Sequence, residues 1–112
     1  MSGGHFDYRE YQINDIADGI EREIEKNGKP LTKDELKGYY WRNDNWYKQH
    51  PEDLFHYKYP DDVIEKFKEA VNILRKACIY AHRIDYLLSG DDGEENFLKR
   101  LDEELTQLKE LV

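Results

Sequence analysis

The sequence predicts an all-α protein, a small helical bundle of three principal helices and one minor helix with an irregular aromatic-rich insertion. In three stretches apolar residues recur every three or four positions, which is the period of a helix buried on one side. Glycine-containing turns end the first and third of the four helices. Eight aromatic residues between Tyr39 and Tyr59 follow neither a helical nor a strand period.

Length and composition limit this architecture to one domain with a thin core. The chain has 112 residues and a mass of 13.5 kDa, with 38% hydrophobic and 38% charged residues. Self-association would add the burial that this composition lacks, so a homo-oligomer is one expectation. The net charge of −8 argues against direct binding to nucleic acid, which requires a basic face.

The first half of the chain is predicted as an arm over residues 1–9, a helix over residues 10–27 and a minor helix over residues 32–40. The first helix buries a stripe of isoleucines and ends at Asn27 and Gly28, where glycine can adopt a left-handed conformation. Thr32 and Glu35 have the spacing of a capping box at the start of the minor helix. Residues 41–60 are predicted as irregular chain with at most helical turns, with a weak indication of extended structure over residues 55–59.

The second half is predicted as a long helix over residues 61–89 and a C-terminal helix over residues 94–111. Steps of three and four residues give the long helix a heptad stripe: Ile64, Phe67, Val71, Leu74, Cys78, Ala81, Asp85 and Leu88. The C-terminal helix presents Phe97, Leu98, Leu101, Leu105, Leu108 and Val112 on one face. The short turn between these helices predicts an antiparallel hairpin.

Asp85 occupies a stripe position where an apolar residue is expected. Burying a carboxylate without a partner is costly, so the sequence predicts a partner from Arg9, Arg22, His5 or a backbone N–H. One interpretation is a structural polar contact that fixes the packing of the long helix. The other is that Asp85 and nearby Arg83 face a ligand or a partner, close to the turn over residues 89–95 and within reach of the arm.

No motif in the sequence predicts a reaction, a cofactor or a metal. The single cysteine, Cys78, lies within the apolar stripe, where it is typical of a core residue and of a protein in a reducing cytoplasm. A site built from His5, Asp7, His82 and Asp85 lacks the spacing of known metal motifs. We therefore expect a non-enzymatic protein without cofactors, and no apolar run suggests a membrane span.

The aromatic stretch is the best binding candidate in the sequence. Tryptophan, tyrosine and arginine dominate interaction hot spots because they combine large rigid area with a polar group. About half of the rings are expected to face solvent and half to cover the bundle core. The candidate binding residues are Trp41, Arg42, Trp46, Tyr47, Tyr57 and Tyr59, together with Arg83 and Asp85.

Two stretches resemble a family of small phage and prophage proteins of unknown function. They are GGHFDY (residues 3–8) and RIDYLLSGDDGEE (residues 83–95). With the first helix and EKFKEA (residues 65–70), the similarity extends over about two-thirds of the chain, and the aromatic stretch is where the chain is most individual. The resemblance implies a virus-encoded protein that acts in the cytoplasm of a bacterial host, and it supplies no catalytic residues.

The sequence leaves three hypotheses for function. The first is a binding protein that acts on a host protein, as a host-takeover or anti-defence inhibitor, through the aromatic stretch and acidic helix faces. The second is a small-molecule binder that sequesters a nucleotide signal, with Arg9, Arg42 or Arg83 on its phosphates. The third is an acidic mimic of DNA, which is less favoured because 17 basic residues are interspersed with 25 acidic ones.

Overall fold

A computed structural model describes residues 4–111, with side chains as far as Lys109, and confirms the all-α fold. Within this range, one isolated bridge between Pro30 and Phe55 is the only β-type pairing. A 3-10 turn covers Pro51–Leu54. The α-helices are α1 (Glu10–Lys26), α2 (Lys33–Lys37), α3 (Asp44–Gln49), α4 (Asp61–Leu88) and α5 (Glu94–Leu111).

The helices begin and end close to the predicted positions, with two differences. The minor helix α2 ends at Lys37 instead of residue 40, and Gly38 follows it. Its capping box is present, because Thr32 Oγ1 accepts the N–H of Glu35 and Glu35 Oε1 accepts the N–H of Thr32. The second difference is α3, which lies in the segment predicted as irregular. Residues 1–3 of the arm and Val112 lie outside the described residues.

Helix α4 is the central element, and α1 and α5 both run antiparallel to it. On the α1 side, Arg75 Nη2 lies 2.8 Å from Asp18 Oδ1 and 3.0 Å from Glu21 Oε1. On the α5 side, Arg83 Nε lies 2.7 Å from Glu104 Oε1, which confirms the predicted hairpin. Ion pairs therefore join α4 to both of its neighbours.

The core is as thin as the composition suggests. Ala17 and Ile64 are the only buried apolar residues among those that the structure describes. The radius of gyration is 20.2 Å and the extents are 65 × 29 × 16 Å, whereas a compact chain of this length has a radius of about 13 Å. Since the shortest dimension is about two helices thick, each long helix keeps a face exposed to solvent.

Residues 27–60 form a separate unit, here called the aromatic lobe, between the end of α1 and the start of α4. Asn27 closes it, because its Oδ1 accepts the N–H of Tyr59 at 2.7 Å and its Nδ2 donates to the Tyr59 carbonyl at 3.2 Å. Two backbone hydrogen bonds continue the closure, from Leu31 N–H to Leu54 O and from His56 N–H to Lys29 O, both at 2.8 Å. The lobe therefore lies at one end of the long molecule.

Candidate functional site

Arg42 lies at the centre of the aromatic lobe. Its guanidinium carbon is 4.0 Å from the centroid of the Tyr39 ring and just under 6 Å from the rings of Trp41 and Trp46. Only 18% of its side chain is exposed. A cation enclosed by three rings gains both apolar contact and attraction to their π faces. Arg42 therefore organises the lobe rather than offering a free charge to a ligand.

Asp53 completes this cluster from the 3-10 turn Pro51–Leu54. Its Oδ2 accepts the indole N–H of Trp46 at 2.7 Å, and it lies 4.0 Å from Arg42 Nη2. The Trp46 ring also packs against His50, with centroids 4.6 Å apart. These contacts fix the conformation of a segment that has few aliphatic residues of its own.

Helix α3 positions Trp46 in this arrangement. It begins after Asn43, whose Oδ1 accepts the N–H of Trp46 at 2.9 Å in the manner of an N-cap. Tyr47, the next residue, is half-buried. Asn43 and the aspartate after it are a recognisable helix start, but six residues are too few to show a helical period.

The lobe exposes more aromatic surface than the sequence predicts. Tyr40 is 88%, Trp41 57% and Tyr57 73% exposed, and six of the eight rings are exposed rather than the expected half. Tyr40 and Trp41 meet edge to face at 5.5 Å. The expectation is wrong because the lobe extends beyond the end of the helices instead of covering their core. One ring of the lobe, Tyr59, does reach α4, at 5.4 Å from Phe67.

Arg83 is distant from the aromatic candidates and is already paired. Its guanidinium contacts Glu104 at 2.7 Å and Asp92 at 3.4 Å, and 11% of its side chain is exposed. These contacts join α4 to the turn before α5 and to α5 itself. The structure therefore separates the predicted binding residues into the lobe at one end of α4 and Arg83 with Asp85 at the other.

Asp85 is 1% exposed and binds the N-terminal arm. Its carboxylate accepts the N–H of Gly4 at 3.0 Å and the N–H of Phe6 at 3.1 Å. Burial alone would raise the pKa of Asp85, but backbone N–H groups of the arm outweigh burial and hold this pKa below its ordinary value. Of the partners that the sequence analysis considered for Asp85, backbone N–H groups are the ones that bind this carboxylate. This agrees with the interpretation of Asp85 as a structural polar contact.

Glu10 is a buried acid that the sequence did not single out. It is 3% exposed, and its carboxylate lies beside that of Asp85. The nearest base is His82, whose Nδ1 lies 3.6 Å from Oε1. An acidic residue in the first turn of a helix is usually exposed to solvent, where its charge interacts favourably with the helix dipole. The position of Glu10 in the sequence therefore did not indicate that it is buried.

Cys78 of α4 contacts the backbone of Glu10 at the start of α1. Cys78 donates its S–H to the Glu10 carbonyl at 3.3 Å, and burial raises the pKa of the Cys78 thiol, which disfavours the thiolate. No group of histidine, cysteine or acidic side chains in residues 4–109 has a geometry that could hold a metal.

A groove between α1, α4 and α5 also went unpredicted. It has a volume of about 390 Å³, and Ile24, Val71 and Leu108 line it with Arg75.

No helix within residues 4–111 is both long and apolar enough to cross a bilayer. Comparisons of the chain with protein-family models, curated proteins and solved structures find no match.

Proposed function

We propose that the chain is a non-enzymatic protein-binding module that docks on its partner through the aromatic lobe. The exposure of Tyr40 and Trp41 on a rigidly held segment carries this proposal. Large rings that stay in solvent cost free energy, which a partner surface recovers when it covers them. Because Arg42 and Asp53 already fix the segment, little conformational entropy is lost on binding.

The partner is a protein of a bacterial host. Resemblance to small phage proteins favours this choice, with action in the host cytoplasm as a host-takeover or anti-defence inhibitor. The acidic surface of the chain, with a net charge of −8, favours a partner with a basic rim around an apolar patch. Aromatic rings at the centre and charges at the edge are the usual organisation of such an interface.

Binding of a nucleotide signal has less support. Arg42 and Arg83, two of the three arginines considered for phosphates, are engaged by Asp53 and by Asp92 with Glu104. A phosphate would have to displace these carboxylates. Mimicry of DNA gains no specific support either, because α4 carries as many basic as acidic residues.

Capture of partners from a bacterial lysate tests the proposal. The double change Tyr40→Ala and Trp41→Ala should reduce capture at least tenfold. The helical circular dichroism should stay unchanged, because the long helices α1, α4 and α5 lie outside the lobe. Trp46→Ala is a poorer probe, since the Trp46 indole is bonded to Asp53 within the lobe.

Leu98→Ala is the matched control, because Leu98 is 65% exposed on α5, outside the lobe. It should leave capture unchanged. Equal capture by the double variant and the unaltered chain would refute docking through the lobe.

A further inference from the structure

Helix α4 carries a second apolar stripe on a side that α1 does not cover, and α5 borders this side at Tyr80, which lines a cleft with Leu105. Ile73 is 64% and Tyr80 41% exposed. Ile73 lies about 140° around the helix axis from Cys78, which contacts α1. The stripe advances in steps of three, four, three and four residues through Ala70, Ile73, Ala77, Tyr80 and Ile84.

This spacing is that of a helix packing along a seam with another helix. The predicted stripe of α4, which includes Ile64 and Cys78, is occupied by α1. Within residues 4–109 no helix covers the second stripe as α1 covers the first, although α5 borders it at Tyr80. Its alanines would allow a second backbone to approach closely. Its length of four turns suits one helix of similar length.

We propose that this stripe, Ala70 to Ile84, is the interface of an antiparallel homodimer. The charges of the long helices support a second copy as the occupant. Helix α1 has six acidic and two basic residues, and α5 has six acidic and three basic residues. Helix α4 has five of each. Two strongly acidic molecules therefore repel each other least when they meet along α4.

The order of residue sizes and charges sets the antiparallel orientation. In that orientation Ala70 faces Ile84, Ile73 faces Tyr80 and Ala77 faces its own counterpart, so small residues meet large ones away from the centre. A parallel pair would place Tyr80 on Tyr80 and leave a gap at each alanine. Residues 61–74 contain four acids and two bases. In residues 75–88, Arg75 and Arg83 are paired within the chain and Asp85 is buried, which leaves the charge of Lys76 at the surface. The opposite signs of the two halves also favour opposite directions.

Sedimentation equilibrium of the full chain at rising concentration tests the dimer. The mass should approach twice 13.5 kDa, and Ile73→Glu should keep the single-chain mass at every concentration. Ile16→Glu is the matched control, because Ile16 is 57% exposed on α1 and the change adds the same charge. A monomeric unaltered chain, or equal dissociation by Ile16→Glu, would overturn the proposal.

Disulfide trapping tests the orientation, with Cys78→Ser in every protein to remove the native thiol. Ala77→Cys should form a covalent dimer on mild oxidation, because position 77 is central to the stripe. A mixture of Ala70→Cys and Ile84→Cys proteins should cross-link, whereas Ile84→Cys alone should not. Efficient trapping of Ile84→Cys alone would overturn the antiparallel arrangement. The lobe variant with Tyr40→Ala and Trp41→Ala should still dimerise, so this interface and the proposed function fail separately.

Discussion

Asp85 turns an apolar seam position into the attachment point of the N-terminal arm. The arm pays a conformational cost to reach it, since Asp7 and Tyr8 have φ values of 56° and 60°, in the left-handed region that non-glycine residues avoid. The sequence reveals the misplaced carboxylate, but it could not identify the partner. Gly4 lies 81 positions away, and a backbone N–H has no signature in a sequence.

The attachment of the arm to Asp85 should depend on pH, and the Asp85→Asn variant tests whether the carboxylate charge causes it. The pKa of Asp85 is held below its ordinary value of 3.8, so the unfolded chain takes up the proton more readily than the folded one. The stabilisation is therefore complete at neutral pH and is lost as the pH falls below about 4. The protection of the Gly4 and Phe6 amides, measured as their exchange rate relative to the intrinsic rate at each pH, should fall over that range in the unaltered chain.

In the Asp85→Asn protein, the same two amides should exchange quickly already at neutral pH, with a lower melting temperature. Protection that persists at neutral pH in this variant would show that the carboxylate charge does not hold the arm.

At the scale of elements, periodic helices were predictable and the aromatic lobe was only partly so. Helices α1, α4 and α5 each repeat their apolar pattern over several turns, which makes their bounds visible in the sequence. The lobe is held instead by single contacts between Arg42, Trp46 and Asp53, which have no period. Asn27 joins the two ends of the lobe through its hydrogen bond to Tyr59. Asn27 and Gly28 were predicted only as the end of the first helix.

Gly28→Ala should destabilise the junction between α1 and the lobe. Gly28 has a φ of +71°, and an added Cβ would lie 3.2 Å from Lys58 Cγ. The left-handed conformation alone costs a residue with a Cβ about 1–2 kcal/mol, which urea unfolding can measure.

Gly93→Ala is the control for that change, because a Cβ there meets no atom within 4 Å and the backbone is unstrained. It should change the free energy of unfolding by much less. Equal effects of the two substitutions would contradict the conformational explanation.

At the scale of the whole molecule, the chain is elongated because its lobe and helices share little core. Composition predicted a thin core, but the shape depended on where the aromatic rings pack, which the sequence left open. Tyr39, Trp41 and Trp46 pack around Arg42 instead of on the long helices, so the lobe extends the long axis to 65 Å.

Small-angle X-ray scattering of the Ile73→Glu protein should give a radius of gyration close to 20.2 Å, since this variant removes the proposed self-association. As a control, the radius of gyration of this variant should stay constant on dilution, because residual self-association would make it depend on concentration. A value near 13 Å would instead mean that the lobe folds back onto the helices.

The position of the lobe at the first residue of α4 determines the valency of the proposed dimer. Two antiparallel copies would carry their lobes at opposite poles, pointing away from each other. Such an assembly could tether two partner molecules or two distant sites on a large complex. Because the lobes lie at opposite ends, both could not bind one small partner at the same time. Avidity would therefore arise only on clustered or multimeric targets.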